Sequence, residues 1–119
     1  MELRCVIVDD DEEFLKVAQA LLERDGVTVA GVAHNSAEAV QRTQALGPDV
    51  VLIDIRLGWE SGFEAAKRLV DNGHPAALVM ISAHADEDYA ELIADSPATG
   101  FLPKTELSAA AIRRILGRE

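Results

Sequence analysis

The chain has 119 residues, 49% of them hydrophobic but only 4% aromatic, which gives room for one aliphatic core and little else. Its formal net charge of −10 excludes a phosphate-binding basic face, because nucleic-acid binding needs a basic stripe; Arg113, Arg114 and Arg118 suit a helix end or a protein contact. The only cysteine, Cys5, sits inside an apolar run and reads as a small buried hydrophobe. No disulfide framework, signal peptide or apolar stretch near about 18 residues is found, so a cytoplasmic protein with no membrane partner is expected.

In chain order, Arg4–Val8 reads as a buried strand, and Phe14, Val17, Ala18, Leu21 and Leu22 form one face of a helix closed by Gly26. Val27–Val32 is a second strand. Ser36 is the expected N-cap of a helix over Ala37–Leu46, which Gly47-Pro48 stops. Asp49–Ile53 is a third strand. Phe63, Ala66, Leu69 and Val70 mark a third helix that begins near Ser61 and is closed by Asn72-Gly73. Leu78–Ile81 is a fourth strand, Tyr89, Leu92 and Ile93 mark a short fourth helix, Thr99–Leu102 is a fifth strand, and Leu107, Ala111, Ile112 and Ile115 line a last helix. Continuous apolar strands alternating with amphipathic helices predict an α/β fold with a parallel sheet covered on both faces. One domain over residues 1–119, without linker or repeat, is expected.

Asp9, Asp10, Asp54, Ser82 and Lys104 each follow one of these apolar runs, so a parallel sheet would gather them at its carboxyl edge, where open α/β sheets bind ligands. Asp11, Glu12 and Glu13 are explained as an acidic helix start. Asp9 and Asp10 are not, because crowded, partly desolvated carboxylates are costly unless a cation joins them. Hard oxygen donors without a neighbouring His or Cys suit Mg²⁺ or Mn²⁺. His34 and His74 read as loop residues without ligand spacing, and His84, two residues past Ser82, is placed near the site. Asp54 stands several residues before its helix, which weakens a capping role. A carboxylate held there can attack phosphorus, with Lys104 as a point charge and Ser82 as a hydrogen-bond donor.

These residues resemble the response-regulator receiver domains of two-component signalling systems along the whole chain. The resemblance rests on Val8-Asp9-Asp10, on Asp54 with Gly62 eight residues later, on Ser82, and on Phe101-Leu102-Pro103-Lys104. It implies a (βα)5 doubly wound sheet of flavodoxin-like strand order 2-1-3-4-5, an order known for that fold. It also implies that Asp54 accepts a phosphoryl group from a phosphohistidine on a sensor kinase or phosphotransfer protein. Asp10, Asp54 and the backbone carbonyl of Arg56 would ligate Mg²⁺, and Asp9 would hold a metal-bound water. Lys104 would contact the phosphoryl group, and Ser82 would move toward it and let the switch residue Phe101 swing inward. The surface so changed is the fourth helix, fifth strand and fifth helix, residues 86–119, open to a protein target or to a second copy. Such a chain is expected to catalyse only its own phosphorylation and dephosphorylation, with no output domain expected within residues 1–119.

Two departures from the family pattern set expectations of their own. Gly58 replaces the usual Pro four residues after the acceptor, which predicts a more mobile loop over Leu57–Ser61. Thr105 replaces the Pro that commonly follows the Lys in a cis bond, and a cis bond without proline costs about 2.5–4 kcal/mol, so trans geometry or local strain is expected. Arg56 and His84 flank the acceptor at positions that influence dephosphorylation in the family. Trp59, in the same loop, is either a partner contact or an exposed aromatic over the site.

A haloacid-dehalogenase type of phosphatase would need a general-acid Asp two residues after Asp54, where the chain has Arg56. A nucleotide site would need a glycine-rich phosphate loop, which is missing. The remaining alternative is a receiver-like interaction module that works without phosphorylation.

Overall fold

A computed structural model of the chain describes residues 2–83 and 89–117. Its elements in order are β1 (Leu3–Val8), α1 (Glu12–Arg24), β2 (Val27–Ala33), α2 (Ser36–Leu46), β3 (Val50–Asp54), β4 (Arg56–Leu57), β5 (Glu60–Ser61), α3 (Gly62–Asp71), β6 (Ala77–Ser82), α4 (Ala90–Ala94), β7 (Gly100–Pro103) and α5 (Ala109–Leu116). Five strands form one parallel sheet in the order β2-β1-β3-β6-β7. This is the expected 2-1-3-4-5 arrangement once the small β4–β5 hairpin is set aside.

Strand side chains alternate between faces, and each face has its own apolar layer. On one side Cys5, Ile7, Leu52 and Ile81 pack with Leu15, Ala18 and Leu22 of α1 and Ile112 of α5. On the other, Val6, Val8, Ile53 and Met80 pack with Ala39 of α2 and Ala65, Ala66 and Leu69 of α3. Both layers are aliphatic, as the composition requires. Among the described residues no helix is long and apolar enough to cross a membrane.

Several local expectations are corrected. Asn35, not Ser36, caps α2: its side chain accepts the Glu38 N–H at 2.9 Å from an extended backbone, and Ser36 is already the first helical residue. Val17 and Val70 lie outside the buried stripes of α1 and α3, because Leu15, Ala18 and Leu22, and Ala65, Ala66 and Leu69, already fill the width each helix offers the sheet. Leu92 is likewise more than half exposed, on an α4 without buried residues.

The Leu57–Ser61 segment, expected only as a more mobile loop, forms the greater part of a short hairpin. Arg56 pairs with Ser61 and Leu57 with Glu60 across the two-residue turn Gly58-Trp59. Gly58 alone of the two has positive φ, +62°, the pattern of a type II′ turn. The Lys104–Thr105 bond is trans and opens a single 3-10 turn. His84 and the start of the 86–119 surface lie outside the described residues.

Candidate functional site

The parallel order brings the carboxyl ends of β1, β3, β6 and β7 side by side, and the polar residues follow. Asp9 leaves β1 with its N–H donated to the Ala33 carbonyl at 2.9 Å, and it is fully buried. Its Oδ1 accepts the Asp11 N–H at 2.9 Å. That bond turns the chain into α1, where the Asp11 side chain caps the first N–H groups. Asp10, the next residue, is solvent-exposed and lines the mouth of the cleft. Asp54 ends β3, is buried, and accepts the Arg56 N–H on Oδ1 at 3.0 Å. One oxygen from each of Asp9, Asp10 and Asp54 lies within 4.8 Å of the other two.

Lys104 enters from the end of β7. Its Nζ stands 2.7 Å from Asp9 Oδ2 and 3.0 Å from Asp54 Oδ2, and 4.2 Å from the centre of the Phe14 ring. Phe14 thus supplies a π face that favours the ammonium. Burial works against the Lys104 charge, but hydrogen bonds to Asp9 and Asp54 outweigh it and raise its pKa. Asp9 moves the other way for its type. Burial pushes its carboxyl up to about 6, against the Lys104 and Asp11 hydrogen bonds and with the help of the Asp54 charge.

Three carboxylates face one ammonium, so the cleft keeps an excess of negative charge in a partly desolvated place. All the donors are hard oxygens. This set suits a small hard divalent cation such as Mg²⁺ or Mn²⁺ better than zinc. The cleft, about 280 Å³, is also lined by Arg56, Gly58 and Ala83. Gly58 borders one side, where a Cβ would sit in ordinary contact, 3.4 Å from Asp10 Oδ2. Gly62 is still more constrained: its N–H bonds the Ile55 carbonyl at 2.7 Å, and a Cβ would lie 2.0 Å from the Asp54 carbonyl oxygen. α3 begins directly beneath Asp54 because this residue has no side chain.

Asp9, Asp10, Asp54 and Lys104 are thus brought together, with Arg56 at the rim. Ser82 is buried at the end of β6, in register with Pro103 and next to Ile81, the partner of Asp54. Phe101 is partly buried on the α2–α3 side, with its ring 6.3 Å from that of Tyr89. His34 lies in the turn after β2, as expected of a loop residue. There its Nδ1 meets Glu38 Oε1 at 2.8 Å and its Nε2 meets Glu12, so it bridges the starts of α1 and α2.

Sequence reasoning passed over Phe14 as a partner of Lys104, and it passed over the polar tie that fixes the hairpin. Ser36 Oγ donates to Glu60 Oε2 at 2.6 Å and accepts from Arg68 Nη1 at 2.8 Å. The Gly-Trp pair was a legible hairpin signal. Nothing local marks the partner of Glu60, which is 24 residues away.

The sequence profile of the response regulator receiver domain matches residues 5–116. The DNA-binding transcriptional activator EvgA of Escherichia coli K12 is 27% identical over 104 residues, 87% of this chain and 51% of its own. A protein-glutamate methylesterase/protein-glutamine glutaminase of Natronomonas pharaonis is 36% identical over 90 residues, 76% of this chain and 25% of its own. The chain therefore spans about half, or less, of the length of these relatives. The signal receiver domain of NarL from Mycobacterium tuberculosis superposes with a TM-score of 0.83 at 30% identity, covering 98% of both chains.

Proposed function

The chain belongs to the response regulator receiver family, and on that premise we propose that it is a phospho-accepting signalling switch whose acceptor is Asp54. The observation that carries this reading is the Lys104 ammonium standing 2.7 Å from Asp9 and 3.0 Å from Asp54 inside a three-carboxylate cleft. A structural ion pair needs one carboxylate; three around one ammonium leave room for a cation and a phosphoryl group.

Asp10 and Asp54, with the Arg56 carbonyl, would hold Mg²⁺ or Mn²⁺, and Asp9 would hold a water on it. Bound there, the cation would neutralise charge on the phosphoryl oxygens. An Asp54 carboxylate oxygen attacks the phosphorus of a phosphohistidine. The new O–P bond forms as the P–N bond breaks, and the imidazole leaves with the electron pair and takes up a proton. Lys104 offsets charge on the transferred group, and Ser82 donates a hydrogen bond to it. Asp9 stays with Lys104 and keeps the ammonium directed into the cleft. No group other than the chain's own aspartate is turned over.

The product adds about −1.5 to −2 charges beside Ser82 and Lys104. Contacts made only in that state favour one of two arrangements of Ser82 and Phe101, and so of the α4–β7–α5 face. That face would dock on a target protein or on a second copy. The phosphodonor would be a sensor histidine kinase or phosphotransfer protein in the cytoplasm. The named activity of EvgA suggests one kind of output, a DNA-binding one, carried outside the receiver.

Intact mass after incubation with Mg²⁺ and acetyl phosphate tests the reading. One phosphoryl adduct, lost in Asp54→Asn and in EDTA, supports it. No adduct with any donor favours the phosphorylation-independent interaction module.

A further inference from the structure

We propose that Glu60 is a positioning residue for the divalent-cation site, acting through the Gly58-Trp59 hairpin. The inference rests on the metal reading above and deepens it. The hairpin forms the outer wall of the cleft. Arg56, whose carbonyl is the backbone ligand of that reading, lies in its first strand, and Gly58 abuts Asp10. Two cross-strand pairs are all that the hairpin supplies by itself, and a short two-stranded ribbon in water is marginal.

Glu60 supplies the rest. Its Oε1 accepts the Ser36 N–H at 3.2 Å and its Oε2 accepts the Ser36 hydroxyl at 2.6 Å. Ser36 is buried and is the first residue of α2, so the carboxylate also stands at a helix N-terminus, where negative charge is favoured. The same hydroxyl accepts from Arg68 of α3 at 2.8 Å. A chain of donors therefore runs from the Arg68 guanidinium through Ser36 to Glu60, each bond polarising the next. It ties the second hairpin strand to the two helices on that side of the sheet. Opposite Glu60, buried Leu57 anchors the first strand in the core.

With both strands fixed, Gly58 and the Arg56 peptide are held against Asp10 and Asp54. Without the tie, the hairpin swings on its turn and the wall of the cation site loosens. Glu60 touches neither cation nor phosphoryl group; it sets where the backbone that does so stands. Trp59, the only tryptophan, is 95% exposed on the turn, so its fluorescence anisotropy reports how freely the hairpin moves.

The test is Mg²⁺ affinity by calorimetry for the wild-type chain, Glu60→Ala, Ser36→Ala, the double variant and Glu60→Gln, with circular dichroism to establish folding. Glu60→Ala and Ser36→Ala are each expected to weaken binding by roughly tenfold, as for other groups that orient metal ligands. The double variant should be no weaker than either alone, since one tie is removed once. Glu60→Gln keeps an oxygen for the Ser36 hydroxyl, so it should bind more tightly than Glu60→Ala and carry the test if that variant misfolds. Trp59 fluorescence anisotropy should fall in the variants before any metal is added. Unchanged affinity in folded single variants beside a wild type that binds Mg²⁺ would overturn the inference alone. A wild type that binds no Mg²⁺ would overturn the metal reading, and this inference with it.

Discussion

Lys104 Nζ lies 2.7 Å from Asp9 Oδ2, and this pair joins the end of β7 to the end of β1 across the whole cleft. Burial still holds the Asp9 carboxyl up at about 6. An acid with its folded pKa above the unfolded 3.8 destabilises the fold when ionised. That cost is absent below about pH 4 and complete above about pH 6. Asp9→Asn keeps an oxygen for the Asp11 N–H and removes the charge. The metal-free variant is therefore expected to melt higher than wild type at pH 7, with the gap closing as pH falls toward 4. Thermal melts in EDTA across that range check it; equal melting temperatures at pH 7 would contradict it.

His34 behaves in the same direction for a different reason. Its hydrogen bond to Glu38 and its pairing with Glu12 outweigh burial and raise its pKa above 6.5. A base raised in the folded state contributes stability that is full below the unfolded value and fades as pH rises through the folded one. His34→Gln should therefore destabilise more at pH 5.5 than at pH 8.5. The ring is over a third exposed, so the effect is a small one, read as a pH-dependent difference in denaturation midpoint.

Gly62→Ala should be among the most damaging small substitutions. The added methyl would sit 2.0 Å from the Asp54 carbonyl oxygen, a backbone atom in a buried strand that has nowhere to move. Overpacking of this kind costs about 2–3 kcal/mol, roughly 10 °C in melting temperature for a domain of this size. Gly47→Ala, with nothing within 4 Å of its Cβ, pays only for its left-handed backbone and should lose less. Melting both variants beside wild type decides it.

The acidic site was legible because each of its residues follows an apolar run long enough to be a buried strand. Once the strands are parallel, Asp9, Asp54 and Lys104 have to meet. Gly58 was legible as a departure from a family pattern, yet it predicts only a more mobile loop and not the hairpin that forms there. That hairpin is tied back by the bonds of Glu60 to Ser36, a long-range pair without periodicity or spacing to announce it. The same pair explains the misplaced helix cap: a serine before a helical run is a good cap by composition, but Asn35 took that role and left the Ser36 hydroxyl to Glu60 and Arg68. Val17 and Val70 misled because apolar spacing tells which residues share a helix face, not how wide a face the sheet can cover.

Asp54 is the residue proposed to carry the phosphoryl group. Intact-mass measurement after incubation with acetyl phosphate and Mg²⁺, on wild type and Asp54→Asn side by side, decides the matter. One added phosphoryl group in wild type alone, abolished by EDTA, is the predicted result. An adduct that persists in Asp54→Asn, or no adduct in wild type with any phosphodonor, would contradict it.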